Sequence, residues 1–308
     1  MTLLNIVLPV FLVIGLGYLL RVRGFIGETA NAWLSRLVFY VTAPALLFQS
    51  TATESFDWGA RVPALLAVGA ITAVISLGVY VLARGMAPAR RGVLAQACHR
   101  SNTVFIGLPI VMSAYGAEGL AVSSLLIGFM VVVENFFGVL VLTLPHEGRS
   151  ARDPRLWSRT AVHVAKNPLI LACAAGALYS LSGLPLPFAF DRSLALLGTT
   201  AAPLGLLSVG ASLEFRRLRD EVSGVGVTSF VRFVANPGLV YLALRWLGAA
   251  GAELGAPVLI MGCPTAVVSY IMAREMGGDE RFAAALIIGT TVLALPALLA
   301  WLAVLRVG

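Results

Sequence analysis

Gly107-Leu108-Pro109 followed by Tyr115, and Gly262-Cys263-Pro264 followed by Tyr270, are two copies of one pattern, offset by 155 residues at every matched position. Each copy lies midway along an apolar run long enough to cross a membrane. Proline inside a helix removes a hydrogen bond and clashes with the preceding turn. In lipid, a freed backbone group is costly unless protein or trapped water satisfies it. Paired interruptions at equivalent places in two halves of a chain therefore point to the binding site of a membrane carrier. For an isolated proline, a simple helix kink is the plainer reading.

The repeat extends outward from these stretches. Pro9 and Gly17 correspond to Pro168 and Gly176, and Ala43-Pro44 to Ala202-Pro203, at an offset of 159. Composition agrees with a membrane setting: 59% of the 308 residues are hydrophobic and 12% charged, with a mean hydropathy of +0.91. Soluble domains carry roughly 25% charged residues. A spanning helix needs about 20 mostly apolar residues, and candidates run near 3–20, 34–52, 62–84, 93–114, 119–144, 167–183, 190–212, 223–246, 256–273 and 282–305. The expected fold is all-α and integral to the membrane: ten crossings in two five-helix repeats, 1–144 and 166–308, joined by a loop over 145–165. A repeat with an odd number of crossings enters the membrane upside down the second time, so the two halves are inverted.

Charge sets the orientation. Of the 22 Lys and Arg, fifteen fall in the gaps after crossings one, three, five, seven and nine, and four on the opposite side. Arg36, Arg100 and Arg232 lie inside crossings. The positive-inside rule then puts the 145–165 loop in the cytoplasm and both termini outside. No basic residue precedes the first apolar run, the reverse of a cleaved signal peptide. The net charge of +7 sits in short gaps and forms no face for nucleic acid; anionic lipid and topology account for it. Cys98, Cys173 and Cys263 lie in apolar stretches without metal-ligand spacing and read as small buried hydrophobes.

Around the interruptions the polar side chains gather. Crossing four carries His99, Arg100, Ser101, Asn102 and Thr103 ahead of Gly107 and Pro109, and crossing nine places Thr265 and Ser269 beside Gly262 and Pro264. Two broken helices crossing there would aim half-helix N-termini at an anion. Neutral amides and hydroxyls can ligate a carboxylate without a full charge. Ser101, Asn102 and Thr103 are thus candidate substrate ligands, while Thr265 and Ser269 could equally bond their own helix carbonyls. Tyr115 and Tyr270 read as pocket residues or interface anchors. Glu134 and Arg232 are each about ten residues, or ~15 Å, from a cytoplasmic helix end by helical rise. Equal depth permits an ion pair; the alternatives are a proton on Glu134 or an anion on Arg232. Asn135 adjoins Glu134 but faces about 100° away, so the two are not expected to share one narrow stripe. Arg100 is expected to snorkel to the cytoplasmic surface.

The stretch Arg100-Ser101-Asn102-Thr103-Val104-Phe105-Ile106-Gly107-Leu108-Pro109-Ile110, with Tyr115-Gly116-Ala117-Glu118, resembles the fourth-helix motif of the auxin efflux carrier family. Lys166-Asn167-Pro168 is similar to the opening of that family's sixth helix, and Cys263-Pro264-Thr265 through Leu295-Pro296 to its ninth and tenth. The resemblance implies crossed, broken helices four and nine, as in bile-acid symporters and sodium/proton antiporters. It also implies a scaffold of helices one, two, six and seven that makes a homodimer, a moving transport domain formed by the rest, and small organic anions as substrates. Asn102 matches its carboxylate-binding position. The short 145–165 loop and Ser101, where plant carriers have proline, imply a bacterial short-loop type in the cytoplasmic (inner) membrane.

The expected function is a secondary transporter, an efflux carrier for a mono- or dicarboxylate or auxin-like acid. Alternatives are a sodium- or proton-coupled symporter and a passive anion channel or uniporter. No cofactor or metal is expected. His99, His146 and His163 are scattered, and Gly15-Leu16-Gly17 is helix-packing glycine, so an intramembrane enzyme lacks its nucleophile, carboxylate pair or metal cluster.

Overall fold

The computed structural model describes residues 3–53, 58–144, 162, 166, 168–213 and 221–307. In lipid every backbone N–H and C=O must be satisfied internally, and helices do so within one segment. Accordingly, the described residues hold helices and no strand: α1 (Leu3–Val22), α2 (Glu28–Leu37), α3 (Ala43–Ala52), α4 (Trp58–Leu82), α5 (Pro88–His99), α6 (Leu108–Thr143), α7 (Pro168–Leu181), α8 (Phe188–Ala211), α9 (Val222–Phe230), α10 (Asn236–Trp246), α11 (Gly251–Met261), α12 (Val268–Glu275) and α13 (Glu280–Val304). Three π-helical turns, Val38–Thr42, Thr103–Gly107 and Val231–Ala235, interrupt the α-helical runs.

Among the described residues, six stretches are long and apolar enough to cross a membrane: Asn5–Val22, Arg61–Gly85, Thr103–Thr143, Phe188–Ala211, Val222–Trp246 and Glu280–Val304. This is an integral, multi-pass membrane fold. The other expected crossings are not single long helices. Residues 34–52 are divided between α2 and α3, 93–114 between α5 and α6, and 256–273 between α11 and α12, while 167–183 hold α7. The expected 145–165 loop lies outside the described residues except for Val162, as do Arg216, Arg217 and Arg219.

The 36-residue α6 is bent at Gly116, whose φ of 60° and ψ of −140° are not helical. That left-handed φ suits a residue without Cβ, and it separates the crossings read at 93–114 and 119–144. Elsewhere glycine allows helices to touch backbone to backbone. A methyl group at Gly210 of α8 would stand 1.9 Å from the Ile14 carbonyl oxygen of α1, and one at Gly17 would stand 2.3 Å from that of Leu207. Gly176 of α7 lies as closely on α3, with Phe48 O 2.8 Å from the position of a Cβ. Small residues at such contacts compensate for the missing hydrophobic drive between helices in lipid. α2 and α8 are further joined by polar contacts: Asn31 Nδ2 donates to Ser212 Oγ (2.9 Å), Ser208 Oγ donates to Asn31 Oδ1 (2.8 Å), and Ser35 Oγ lies 2.6 Å from Ser208 Oγ.

Gly210→Val should force α1 and α8 apart, a cost of about 1–3 kcal/mol or more by overpacking. Gly15→Ala, which meets nothing within 4 Å, should be neutral. The check is the thermal unfolding midpoint of the two purified variants in detergent; equal midpoints would mean the two helices do not touch.

Candidate functional site

The two interrupted segments meet. α5 ends at His99, and Arg100 (φ −88°, ψ 107°) turns the chain into an extended link. α11 ends at Met261, and regular helix resumes only at Val268. The links pair antiparallel at Ser101 and Thr265. Asn102 N–H donates to Pro264 O (2.8 Å) and Ala266 N–H to Arg100 O (3.1 Å). Thr265 adds its hydroxyl to Ala97 O (2.9 Å), and Thr290 Oγ1 accepts the Thr265 N–H (3.2 Å). Backbone groups released by one break are thus taken up by the other, as burial demands.

Pro264 lies in its break, but Pro109 does not: it follows the π-helical turn Thr103–Gly107, which runs directly into α6. Gly107 gives the closeness that the crossing needs, with the Cys263 sulfur 3.3 Å from where its Cβ would stand.

Both helix C-termini converge on one side chain. Arg232, fully buried, sits in the π-helical turn between α9 and α10. Its Nε and Nη2 donate to Cys263 O (2.9 and 2.5 Å), Nη2 also to Met261 O (2.9 Å), and Nη1 to Cys98 O (3.4 Å). These are orphan carbonyls at the negative ends of α11 and α5. Nη2 further bonds Ser101 Oγ. Glu134 is buried too, and its Oε1 accepts the Ser101 N–H at 3.0 Å. The direct Glu134–Arg232 pair that equal depth allowed is absent from the ion pairs among the described residues. Ser101 stands between them, N–H to one and hydroxyl to the other.

Beside this crossing lies a cavity of about 360 Å³. One wall is Arg100 to Phe105, Glu134, Asn135 and Ala266 to Val268; the other is Ser35, Arg36, Phe39, Tyr40, Leu169, Ser208, Val209 and Ser212. The turn beginning at Thr103 and the helix beginning at Val268 both start on the cavity, and neither has a side-chain cap. Ser269 N–H and Tyr270 N–H of the second start donate to Ala266 O and Val267 O, and the positive ends of both elements lie at the cavity wall. Asn102 is 2% exposed and its Nδ2 has no acceptor.

Of the residues singled out by sequence, Ser101, Asn102, Thr103, Glu134 and Asn135 line the cavity together. Gly107, Pro109, Gly262, Pro264, Thr265, Ser269 and Arg232 are not on its wall; they build and clamp the crossing behind it. Tyr115 packs on Gly255, and Tyr270 OH lies 3.4 Å from Glu280 Oε2, both away from the cavity. Glu134 and Asn135 share the cavity despite their 100° separation, because it is wide rather than a stripe. Arg100 does not snorkel: at 6% exposure it turns inward, Nη2 donating to Asn135 Oδ1 at 3.2 Å. Ser35, Arg36, Tyr40, Ser208 and Ser212 were not anticipated. Their signal was hydroxyls at i and i+4 in otherwise apolar runs, Ser208 and Ser212 being the clear case. No group of three or more His, Cys, Asp or Glu that could hold a metal occurs among the described residues.

A multi-pass helical fold whose broken helices meet at a cavity lined by both apolar and polar side chains fits a membrane transport protein. The chain belongs to the auxin efflux carrier family: the family model described as "Membrane transport protein" matches residues 2–302. It is 28% identical over 302 residues to an "Uncharacterized transporter" of Methanothermobacter thermautotrophicus, covering 97% of each chain. It is 27% identical to the "Putative malonate transporter" of Rhizobium meliloti, covering 99% of this chain and 96% of that one. A rice protein, "Probable auxin efflux carrier component 5c", is 24% identical over 96% and 95% of the two chains. All three relatives are named as transporters or carriers.

Arg232→Lys keeps the charge but loses the planar fork. With several charge-assisted bonds to carbonyls lost, the fold should weaken by about 3 kcal/mol. The readout is the thermal midpoint and detergent monodispersity; an unchanged midpoint would show that Arg232 does not clamp the crossing.

Proposed function

We propose that this protein is a secondary transporter that carries a small organic anion by alternating access, with the cavity as its substrate site. The supporting observation is the convergence, on one cavity, of two uncapped helix starts and the buried, unpartnered Asn102 amide. Helix N-termini carry partial positive charge, the complement of a carboxylate. Ser101, Asn102 and Thr103 are the proposed contacts. Gly107, Pro109, Gly262, Pro264, Thr265 and Ser269 are proposed to shape the site from behind.

The ten-crossing, inverted-repeat reading accommodates the observed elements when α2 with α3, α5 with the start of α6, α9 with α10, and α11 with α12 are each taken as one crossing. Crossings one, two, six and seven would then form the frame. The cavity lies between that frame and the remaining helices, the seam along which an elevator-type carrier moves. With both termini outside, Ser35 and Ser212 sit next to basic gaps, so the cavity faces the cytoplasm of a bacterial cell. A homodimer through the frame completes the reading. The name of the Rhizobium relative favours a carboxylate cargo. Glu134 on the cavity wall favours, as a second reading, proton-coupled symport.

The test is thermal stabilisation by a panel of mono- and dicarboxylates and indole acids, because a ligand that binds only the folded state raises its stability. Asn102→Ala should keep the unfolding midpoint of the free protein, since its amide nitrogen bonds nothing in the fold. It should weaken the acid by about 10- to 100-fold, the range for a hydrogen bond to a charged group. A variant that binds the acid normally moves the site elsewhere; a wild type stabilised by no acid removes the anion reading.

A further inference from the structure

Arg36 and Arg100 both bring a full positive charge to the cavity wall, and the reading above uses neither; Arg36 is exposed, whereas Arg100 is buried, and its surroundings are unusual for a buried guanidinium. Nη1 donates to Met272 Sδ at 3.3 Å and to the Glu134 main-chain oxygen at 3.4 Å, and Nη2 to Asn135 Oδ1 at 3.2 Å. Nε is buried and has no acceptor at all. Every partner is neutral and every contact long, whereas charge-assisted bonds from Arg to a carboxylate run shorter, near 2.7–2.9 Å. None of the ion pairs among the described residues includes Arg100. The nearby Glu134 carboxylate is engaged by the Ser101 N–H instead. A buried cation inside a membrane is expensive and normally paired.

Arg232, the other buried arginine at the crossing, also has only neutral partners, but its Nε is bonded and its contacts to Cys263 O and Met261 O are shorter. It is off the cavity wall, and its donors are consumed by carbonyls at the ends of α5 and α11. One arginine completes the fold; the other faces the cavity with no carboxylate in ion-pair contact among the described residues.

Resting on the anion-carrier reading, we infer that Arg100 is a specificity-determining residue, the fixed cation that recognises a second negative group on the substrate. The helix starts and the Asn102 amide suffice for a single carboxylate through partial charges and hydrogen bonds. A full positive charge two residues away on the same wall adds a second, separate anion-favouring point. The substrate class that uses both is a small acid with two anionic groups; an acid with one leaves the Arg100 charge uncompensated.

The experiment compares malonate, succinate and glutarate, each against its own monoamide, at neutral pH by calorimetric titration of the detergent-purified protein. Each pair has nearly the same shape and differs by one charge. In the wild type, at least one diacid should bind about tenfold or more tighter than its monoamide. Arg100→Gln should weaken that diacid by about 30-fold or more, the loss expected when one partner of a buried charge pair is truncated. It should leave the monoamide unchanged, and Arg100→Lys should restore part of the preference. Equal weakening of diacid and monoamide would reduce Arg100 to a brace for Asn135 and Met272 and overturn the inference. The wild-type ratio needs no variant, so a misfolded Arg100→Gln does not spare it: a wild type that binds monoamide as tightly as diacid overturns the inference while the anion-carrier reading stands. Binding of no acid at all defeats both.

Discussion

The structure depends on Arg232 holding the carbonyl ends of two helices that stop inside the membrane. A helix that ends in a low-dielectric interior leaves main-chain oxygens without donors, and each would oppose folding. Here α5 and α11 end within reach of one guanidinium, and Cys98, Met261 and Cys263 present their oxygens to it. The arrangement solves two problems together. The arginine gains partners that stabilise its charge without a carboxylate, and the breaks gain donors without water. Ser101 extends the network to Glu134, so the acid is tied to the same crossing without touching the arginine.

That clamp sorts the ends of the broken helices by sign. Negative ends are consumed by Arg232 behind the crossing, while the positive ends, at Thr103 and Val268, open on the cavity. The antiparallel pairing at Ser101 and Thr265 keeps the two starts side by side. The π-helical turns serve the same region: Phe39 and Tyr40 from one and Thr103 to Phe105 from another line the cavity, and Arg232 comes from the third. Such turns occur frequently at functional sites because they re-aim a side chain that regular helix would hide.

Much of this was legible in the residues, and the parts that were not have physical causes. Periodic apolar runs and the distribution of arginines announce a multi-pass helical protein, because lipid imposes length and composition directly. The polar run from Arg100 to Thr103 marks one wall of the cavity correctly. Pro109 misled in part: proline signals the neighbourhood of a break, yet here it lies after the π-helical turn that follows the break. The break itself is set by hydrogen bonds to Pro264 and Ala266, which are distant in sequence and invisible to local pattern. Asn135 was misjudged because the cavity is wider than one helical stripe, and Arg100 because of the break. Helical geometry was assumed to continue through Arg100, whereas the chain turns extended there and brings the guanidinium inward. The opposite wall, with Ser35, Arg36 and Ser208, depends on packing between α2 and α8 that no single segment reveals.

Asn102 performs two tasks with different atoms. Its main-chain N–H fastens the crossing to Pro264, and its oxygen receives Ile106 and Gly107, contacts that any residue but proline could make on the donor side. Its side-chain nitrogen takes no part in that scaffold. On the proposal that the cavity is the substrate site, the side chain at this position can be exchanged without endangering the architecture, so cargo preference can diverge there. For an engineer working from that proposal, it is the natural first position to randomise.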